Sequence, residues 1–388
     1  GAASYICLRN LQSALDDLED DTPLAHRYIL SFLVHWAVAT PNATLDALPY
    51  WLRQTFPVLA EIERDIAVDR STCTERRCPF FDDCHFFTAY RRGAQADIVL
   101  INQALWLAEP GLMPAFDALV IDEAHNLEDM ATSALEQEVS EESLRRILSR
   151  LAVPGTRRGV LQRILDTKPD DTLRAAIHQA RQAVGQSLHL ITELRLIVAS
   201  FVVGCDERLD PSDGAQLRLA GPPARIYPTR WTIVQQALDQ LWLVYLNPLM
   251  SKLQSLLAIL SDGDEIIWRT LLAVQEGLAE QGRLLQTILQ ARRSDLVTWI
   301  AANTSESDSG WGFHAAPINV APILAERYRA LRSVILTSAT LTTGPRDFSF
   351  YVDRLGLRGQ VATTDLHTLA GALPYTTNVL LGLPTYLT

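Results

Sequence analysis

The sequence predicts an α/β protein: a parallel sheet with a functional edge, interrupted by a cysteine-rich insertion and by a larger, mainly helical one. Two observations predict this class. The apolar run Ala118–Ile121 is followed at once by Asp122 and Glu123, and ligands of open α/β sheets bind at such carboxyl ends of strands. Beyond these acids, from Ser140 to Ala291, apolar residues recur three and four positions apart, which is typical of amphipathic helices.

The amino-terminal part predicts short strands around an insertion. Residues 1–6 and 93–133 carry short apolar stretches typical of strands, and Leu8–Arg92 have helical periodicity interrupted by a polar loop. The charged residues of this loop include Arg70, Glu75, Arg76, Arg77, Asp82 and Asp83. Because such a loop cannot pack as a core element, we expect a bound metal group to hold it.

The region after the acidic residues predicts a helical domain. Ser140 can cap a helix with an acidic first turn, and Val139 can pack against Leu144. Longer helices are expected over Leu173–Phe201, Trp231–Leu260 and Glu265–Ala291. The other expected elements are a hairpin over Gln216–Tyr227 and strands over Val297–Ala301 and Ile318–Val320.

Four cysteines have the spacing of metal ligands. Cys73, Cys78 and Cys84 lie within twelve residues, and Cys7 lies upstream of them. Thiolates in such a set bind either zinc or an iron–sulfur cluster, and His85 could replace one of them in a zinc site. The alternative, that these cysteines are small buried hydrophobes, fits their polar neighbours poorly.

The acidic pair suits a nucleotide-hydrolysing site. Asp122 at the end of a strand can hold magnesium through its water shell, and Glu123, pointing the other way, can orient and deprotonate an attacking water. The alternative is a polar turn after a buried strand.

Composition indicates an intracellular protein with more than one core. The chain has 388 residues and 48% hydrophobic content, which is ample for several cores. No run approaches the roughly eighteen apolar residues of a membrane span, and we expect neither a membrane span nor a signal peptide. Five cysteines with metal-like spacing indicate a reducing compartment; we expect Cys205 to be a buried thiol.

Charge argues for a local rather than a global nucleic-acid surface. The net charge of −11 disfavours indiscriminate binding to phosphates. The cysteine-containing region nevertheless combines arginines for phosphates with aromatic rings for base stacking. The candidate residues are Arg70, Arg76, Arg77, Phe86, Tyr90, Arg91 and Arg92. The alternative for the phenylalanines of this region is that they pack the small domain.

Several motifs, taken in order, resemble the iron–sulfur-containing DNA helicases of superfamily two, the DinG and XPD group, and within it the bacterial DinG helicases. The resemblance is diffuse between residues 140 and 290 and specific elsewhere. It rests on Tyr5–Asn10, on Cys73, Cys78 and Cys84, on the strand-like Ala96–Asn102, on the Asp-Glu-Ala-His box Asp122–His125, and on Ser333–Leu341, which ends a strand in Ser-Ala-Thr.

The resemblance implies a RecA-like motor domain with two insertions. Motor domain one is expected at residues 1–6, 93–133 and 296–345, the iron–sulfur domain at 7–92, the Arch domain at 134–295, and the start of a truncated motor domain two at 346–388.

The resemblance also implies the ligands and the activity. Cys7, Cys73, Cys78 and Cys84 would hold a [4Fe–4S] cluster; Asp122, Glu123 and His125 would act on ATP and Mg²⁺; and Ser338, Ala339 and Thr340 would couple hydrolysis to DNA. The expected protein is a bacterial DNA-repair helicase that moves 5′ to 3′ on single-stranded and forked DNA. We expect it to be monomeric, cytoplasmic and not associated with a membrane.

One departure from the family pattern bears on activity. A phosphate-binding loop needs Gly-Lys-Ser/Thr, but the two lysines, Lys168 and Lys252, follow Thr167 and Ser251. We therefore expect this polypeptide to be part of a helicase and inactive as an ATPase by itself. The alternative function is a module that binds single-stranded nucleic acid or a protein and hydrolyses nothing.

Overall fold

The structure, a computed structural model, describes residues 1–19, 22–108, 111, 113–260, 264–290, 295–305, 310–344, 346–362 and 365–369. It is a mixed α/β protein with mostly helical content and a parallel strand pair, which agrees with the fold class that the sequence predicts. From residue 370 onward, the predicted segment 346–388 lies outside the described residues.

The helices and strands have the following bounds in chain order. The helices are α1 (Leu8–Asp16), α2 (Leu24–Ala39), α3 (Tyr50–Thr55), α4 (Leu59–Ile66), α5 (His85–Gln95), α6 (Gln103–Ala108), α7 (Leu127–Ala134), α8 (Glu141–Ser149), α9 (Val160–Asp166), α10 (Asp171–Cys205), α11 (Pro223–Ile226), α12 (Pro228–Asp239), α13 (Asn247–Ile259), α14 (Glu265–Gln290), α15 (Ala321–Arg329) and α16 (Ser349–Arg354). The strands are β1 (Ala118–Ile121), β2 (Gln137–Ser140), β3 (Ala215–Leu219), β4 (Leu296–Asn303), β5 (Gly310–Pro317) and β6 (Ser333–Leu336).

The chain divides into two compact units. Unit 1 comprises residues 1–115 and 132–318, and unit 2 comprises residues 116–131 and 319–388. In unit 1, an antiparallel sheet of order β2-β5-β4-β3 packs against long helices. Alternate residues of β3 are buried, and Phe313 and Ile300 lie fully inside the core that these strands share with α10 and α12–α14.

Helix α10 is the central element of that core. The Asp170 carboxylate caps it by accepting a hydrogen bond of 2.8 Å from the Leu173 amide. The helix is long and apolar enough to cross a membrane by length and composition alone. Its buried residues, such as Ile177, Val184 and Ile191, line the core of unit 1, as in the core helix of a globular domain.

Helix α8 begins at the predicted cap. The Ser140 hydroxyl accepts from the Ser143 amide at 3.1 Å, and the Ser143 hydroxyl accepts from the Ser140 amide at 2.9 Å, which forms a reciprocal capping box. Directly after the cap, Glu141 is buried and accepts two bonds of 2.6 Å from the Arg195 guanidinium. Arg145 also donates to it at 2.8 Å.

The amino-terminal helices have their own apolar core, formed by residues such as Ile6, Leu33 and Ile62 of the segments around α1, α2 and α4. Ion pairs join this part of unit 1 to the helical part. Arg158 reaches Glu61 at 3.0 Å and also pairs with Asp65. Because such pairs are partly exposed, they hold the two cores together more weakly than apolar burial would.

Unit 2 is built on two parallel strands. β1 pairs with β6 in the register Ala118 to Ser333 through Ile121 to Leu336. The pairing continues beyond the strands, because the Thr337 amide donates to the Ile121 carbonyl at 2.9 Å and the Ala124 amide donates to the Thr337 carbonyl at 3.0 Å. The apolar side chains of Val120 and Ile335 are 63% and 55% exposed, which is unusual for parallel strands.

Several predicted strands are absent from the described structure. Residues 1–6 form a short 3₁₀ turn at Ala2–Ser4 and two isolated bridges. The predicted strand 96–102 forms no strand, and Leu100 is 93% exposed. An apolar run becomes a strand only where a neighbouring strand offers backbone partners, and among the described residues none pairs with this run.

The predicted hairpin over Gln216–Tyr227 is also wrong. β3 pairs antiparallel with β4, from far along the chain, and residues Pro223–Ile226 form α11 instead of a return strand. Two successive prolines, Pro222 and Pro223, lack the amide hydrogens that a ladder requires, and proline is favoured in the first turn of a helix. The predicted strand over Ile318–Val320 does not form either, because β5 ends at Pro317.

A candidate metal centre and a candidate nucleotide site

Four thiols border a single cavity in unit 1, here called the cysteine cavity. Cys7, Cys73, Cys78 and Cys84 all line it, together with apolar residues that include Val68 and Phe81. The structure thus brings together the cysteines that the spacing singles out. Cys205, which is half-buried beside the core of the helical part, is not among the lining residues.

Two of these cysteines occupy the same local position. Cys7 immediately precedes α1, and Cys84 immediately precedes α5. Burial raises the pKa of both thiols, although backbone amides at the helix starts, Arg9 and Asn10 for Cys7 and Phe86 and Phe87 for Cys84, act in the opposite direction. Helix amino termini favour thiolates, so both positions suit ligands of a cationic group.

The other two cysteines, Cys73 and Cys78, lie on the cysteine loop, residues 69–83. Apart from the 3₁₀ turn Glu75–Arg77, this loop has no regular structure. The Glu75 amide lies 3.5 Å from the Cys73 sulfur. Arg9 ties the loop to the Cys7 segment by donating to the Thr72 carbonyl at 3.0 Å, and Asn10 donates to the Ala67 carbonyl at 2.9 Å.

Sequence reasoning gave no role to Arg9, Asn10 or Arg269, although the first two lie only two and three positions after Cys7. Arg269, on α14, donates to the Cys73 carbonyl at 2.8 Å. No sequence pattern around Arg269 indicates this contact, because 196 positions separate the partners.

The donor set of the cysteine cavity is four thiols, which are ligands of both zinc and iron–sulfur sites. Among the residues that the structure describes, no group of three His, Cys, Asp or Glu side chains could hold one metal ion. A zinc ion needs its thiolate sulfurs about 2.3 Å from one point, whereas the thiolates of an iron–sulfur cluster surround a larger body. The four thiols that line the cavity match, in number and type, the ligands of a four-cysteine iron–sulfur cluster.

The basic and aromatic candidates mostly have partners within unit 1. Arg70 lies over the Phe86 ring at 5.6 Å from its centroid and pairs with Glu75 at 3.0 Å, and Arg91 lies 5.4 Å from the Phe81 centroid. Phe86 is 6% exposed, so its ring packs in the interior and does not present the open face that base stacking needs.

The remaining candidates are nearer the surface. Arg76 is exposed, and Tyr90 is 37% exposed. Arg92 donates to the Asn42 side-chain oxygen at 3.4 Å, and Arg77 pairs with Glu265 at 2.5 Å.

The acidic pair lies at the carboxyl end of β1 in unit 2, here called the acidic edge. The Glu123 amide donates to the Asp122 carboxylate at 3.0 Å. Glu123 has a φ of +49°, a left-handed conformation that is strained for a residue with a side chain. Such strain is common at functional sites, and here it lies where the chain leaves β1 for the 3₁₀ turn Ala124–Asn126 that precedes α7.

Parallel pairing brings the Ser-Ala-Thr segment to the same edge. His125 Nδ1 lies 2.7 Å from the Ser338 hydroxyl and 3.2 Å from a Glu123 carboxylate oxygen. The Ser338 hydroxyl in turn lies 3.4 Å from Glu123 and accepts from the Thr340 amide at 3.2 Å. The two sequence motifs are therefore one contiguous polar network.

Comparison with known proteins adds a sequence relationship. No protein-family model matches the chain. It is similar to the ATP-dependent DNA helicase YoaA of Escherichia coli (strain K12), with 30% identity over 156 residues, which is 37% of this chain and 23% of that protein. It is 37% identical over 81 residues to the ATP-dependent DNA helicase DinG of Salmonella typhimurium, covering 20% of this chain and 11% of that protein.

A third relative matches the largest share of the chain among these three. The ATP-dependent helicase DinG of Mycobacterium tuberculosis is 29% identical over 204 residues, which is 47% of this chain and 28% of that protein. The matched stretches thus span between 11% and 28% of the length of these relatives.

Proposed function

We propose that this chain, which is related to the DinG-type ATP-dependent helicases, is the part of a 5′ to 3′ DNA helicase that contains the hydrolytic acids and an iron–sulfur cluster. One observation carries the proposal: the His125–Ser338–Glu123 network at the acidic edge joins two motifs of a nucleotide-driven motor. Unit 2 would be part of a RecA-like motor domain, residues 7–92 an iron–sulfur domain, and residues 134–295 an Arch domain.

The residues of the acidic edge divide the chemistry between them. Asp122, held by the Glu123 amide, is placed to bind Mg²⁺ of a nucleotide through water. Glu123 is 60% exposed at its side chain and can accept a proton from an attacking water. Ser338, which contacts His125, would couple a change at the γ-phosphate to the segment Ser338–Thr340, which is expected to face DNA.

In this proposal, the metal group in the cysteine cavity has a structural role. A [4Fe–4S] cluster held by Cys7, Cys73, Cys78 and Cys84 would tie the Cys7 segment to the cysteine loop, which has little regular structure of its own. Exposed Arg76 and Tyr90 are the candidates in this region for contact with single-stranded DNA. We place the protein in the bacterial cytoplasm as a monomer acting on single-stranded and forked DNA.

A second function is favoured by one feature of the sequence. Neither Lys168 nor Lys252 follows glycine, so the printed chain has no phosphate-binding loop. If the protein has no phosphate-binding loop, it would be a module that binds single-stranded nucleic acid or a protein partner without hydrolysing ATP.

The experiment that decides between them measures ATP hydrolysis by the intact gene product with and without single-stranded DNA, together with unwinding of a duplex that has a 5′ single-stranded tail. DNA-stimulated hydrolysis and unwinding support the helicase. DNA binding without hydrolysis by the intact protein supports the binding module. Unwinding of a 3′-tailed but not a 5′-tailed duplex would contradict the proposed direction.

A further inference from the structure

The amino-terminal end of α14 contacts the cysteine loop from across unit 1. Arg269 donates through Nη1 to the Cys73 carbonyl at 2.8 Å and through Nε to the Glu265 carboxylate at 2.8 Å. The same carboxylate pairs with Arg77 of the cysteine loop at 2.5 Å. One helix turn thus holds the loop on both sides of Glu75.

The Arg269 side chain is held in place by a residue of its own helix. Arg269 and Glu265 are one turn apart on α14, so their bond fixes the guanidinium in place and lowers the entropy lost when it binds the carbonyl. Both side chains are about one-third exposed, at 30% and 32%. The positive charge therefore acts in a partly shielded position, where it is felt more strongly than in bulk water.

The loop has a second tether that is independent of α14. Arg150, which follows α8, pairs with Asp69 and donates to the Ser71 hydroxyl at 3.1 Å. Because Arg150 holds residues 69–71, loss of Arg269 does not release the loop as a whole. The loss of Arg269 should therefore act on residues 73–77, which contact Arg269 and its partner Glu265.

We propose that Arg269 is a positioning residue for the ligand Cys73: it fixes the backbone of that cysteine and stabilises the reduced, more negative state of the group that the four thiolates hold. This inference rests on the proposed iron–sulfur cluster. Neighbouring charge and hydrogen bonding set the reduction potential of such clusters, and partners of metal ligands control how firmly the ligands hold the metal. The helical domain thereby sets a property of the cysteine site.

The test compares three variants of the full chain after anaerobic purification. Arg269→Gln removes the charge, Arg269→Lys keeps the charge without the planar fork, and Arg283→Gln removes an exposed arginine from the same helix as a matched control. Two quantities are measured: the rate at which a chelator bleaches the visible absorption, and the reduction potential followed by electron paramagnetic resonance. Circular dichroism checks that each variant is folded.

We expect Arg269→Gln to lose its cluster about tenfold faster than the unsubstituted chain and to have a lower reduction potential. Arg269→Lys should restore most of the potential but not the slow bleaching, and Arg283→Gln should match the unsubstituted chain. Unchanged bleaching and potential in a folded, cluster-loaded Arg269→Gln protein would overturn this inference alone. An unsubstituted chain with zinc or no metal would overturn the cluster and this inference together.

Discussion

The cysteine cavity is enclosed by side chains and backbone from several segments of unit 1, whereas the acidic edge belongs to a two-stranded sheet in unit 2 with exposed apolar residues. Arg9, Asn10 and Arg269 hold the backbone around the cysteines. At the acidic edge, the contacts come from β1, β6 and the residues directly after them.

The difference shows two ways in which a polypeptide builds a site. The cysteine cavity depends on contacts across long sequence separations, and its loop has little regular structure to support it. The acidic edge depends on the register of one parallel strand pair and on the left-handed turn at Glu123. Substitutions should therefore act on bound metal in the first region and on reaction rate in the second.

The largest expected effect is loss of the metal group from the cysteine cavity. Cys78→Ser replaces a soft thiolate with a poor ligand, so we expect the variant to lose nearly all bound iron and the visible absorption, and the intact protein to lose strand separation with it. Cys205→Ser is the matched control, because Cys205 does not line the cavity. Iron, sulfide and zinc are measured per chain; stoichiometric zinc in the unsubstituted protein would rule out the cluster.

At the acidic edge, Glu123→Gln in the intact protein should slow ATP hydrolysis by about 100- to 10,000-fold, because the substitution keeps the shape and removes the base. Nucleotide affinity should change little. Asp122→Asn should instead raise the Mg²⁺ concentration needed for hydrolysis. Steady-state hydrolysis and nucleotide titrations check both, and an equal loss of nucleotide affinity in the two variants would contradict these roles.

In unit 1, the buried Glu141 carboxylate pairs with two arginines, and we expect its removal to lower stability. Glu141→Gln leaves Arg145 and Arg195, whose side chains are 35% and 32% exposed, without their buried carboxylate, so the free energy of unfolding of unit 1 should fall by about 1–3 kcal/mol. Its neighbour Glu142 pairs with Arg64 on the surface, with a side chain 59% exposed, and Glu142→Gln should cost less than about 1 kcal/mol. Urea unfolding followed by circular dichroism measures both, and equal midpoints would show that the Glu141 pair is not stabilising.

The smallest effect is expected at the side-chain hydrogen bond between the segments that follow β1 and β6. Ser338→Ala removes the 2.7 Å contact with His125, so DNA-stimulated hydrolysis by the intact protein should fall about fivefold, the equivalent of about 1 kcal/mol. Ser333→Ala, at the other end of β6 and exposed, is the control. A DNA-stimulated rate that is the same in both variants and the unsubstituted protein would remove Ser338 from the coupling.

Local patterns predicted the elements whose cause is local. β1, the cap at Ser140 and the helices α10 and α14 appear where periodicity and capping residues place them, because a hydrophobic stripe and a capping hydroxyl act within a few residues. The single helix expected over Trp231–Leu260 is instead divided into α12 and α13 by a π-helical segment at Gln240–Leu246. The strands expected at residues 1–6 and 96–102 failed because a strand needs a partner, and pairing is decided elsewhere in the chain. The hairpin at 216–227 failed for the same reason, since β3 pairs with β4.

The sequence by itself determined which residues are candidates for chemistry: thiols, carboxylates and the Ser-Ala-Thr segment are identifiable by type and spacing. Tertiary structure decided which of them meet. It placed four cysteines around one cavity, set Ser338 against His125 through the β1–β6 register, and brought Arg269 to the Cys73 carbonyl. The physical reason is the sequence separation over which each effect acts. Residue type fixes the local preferences of the backbone, whereas contacts between distant segments depend on the packing of whole helices and strands.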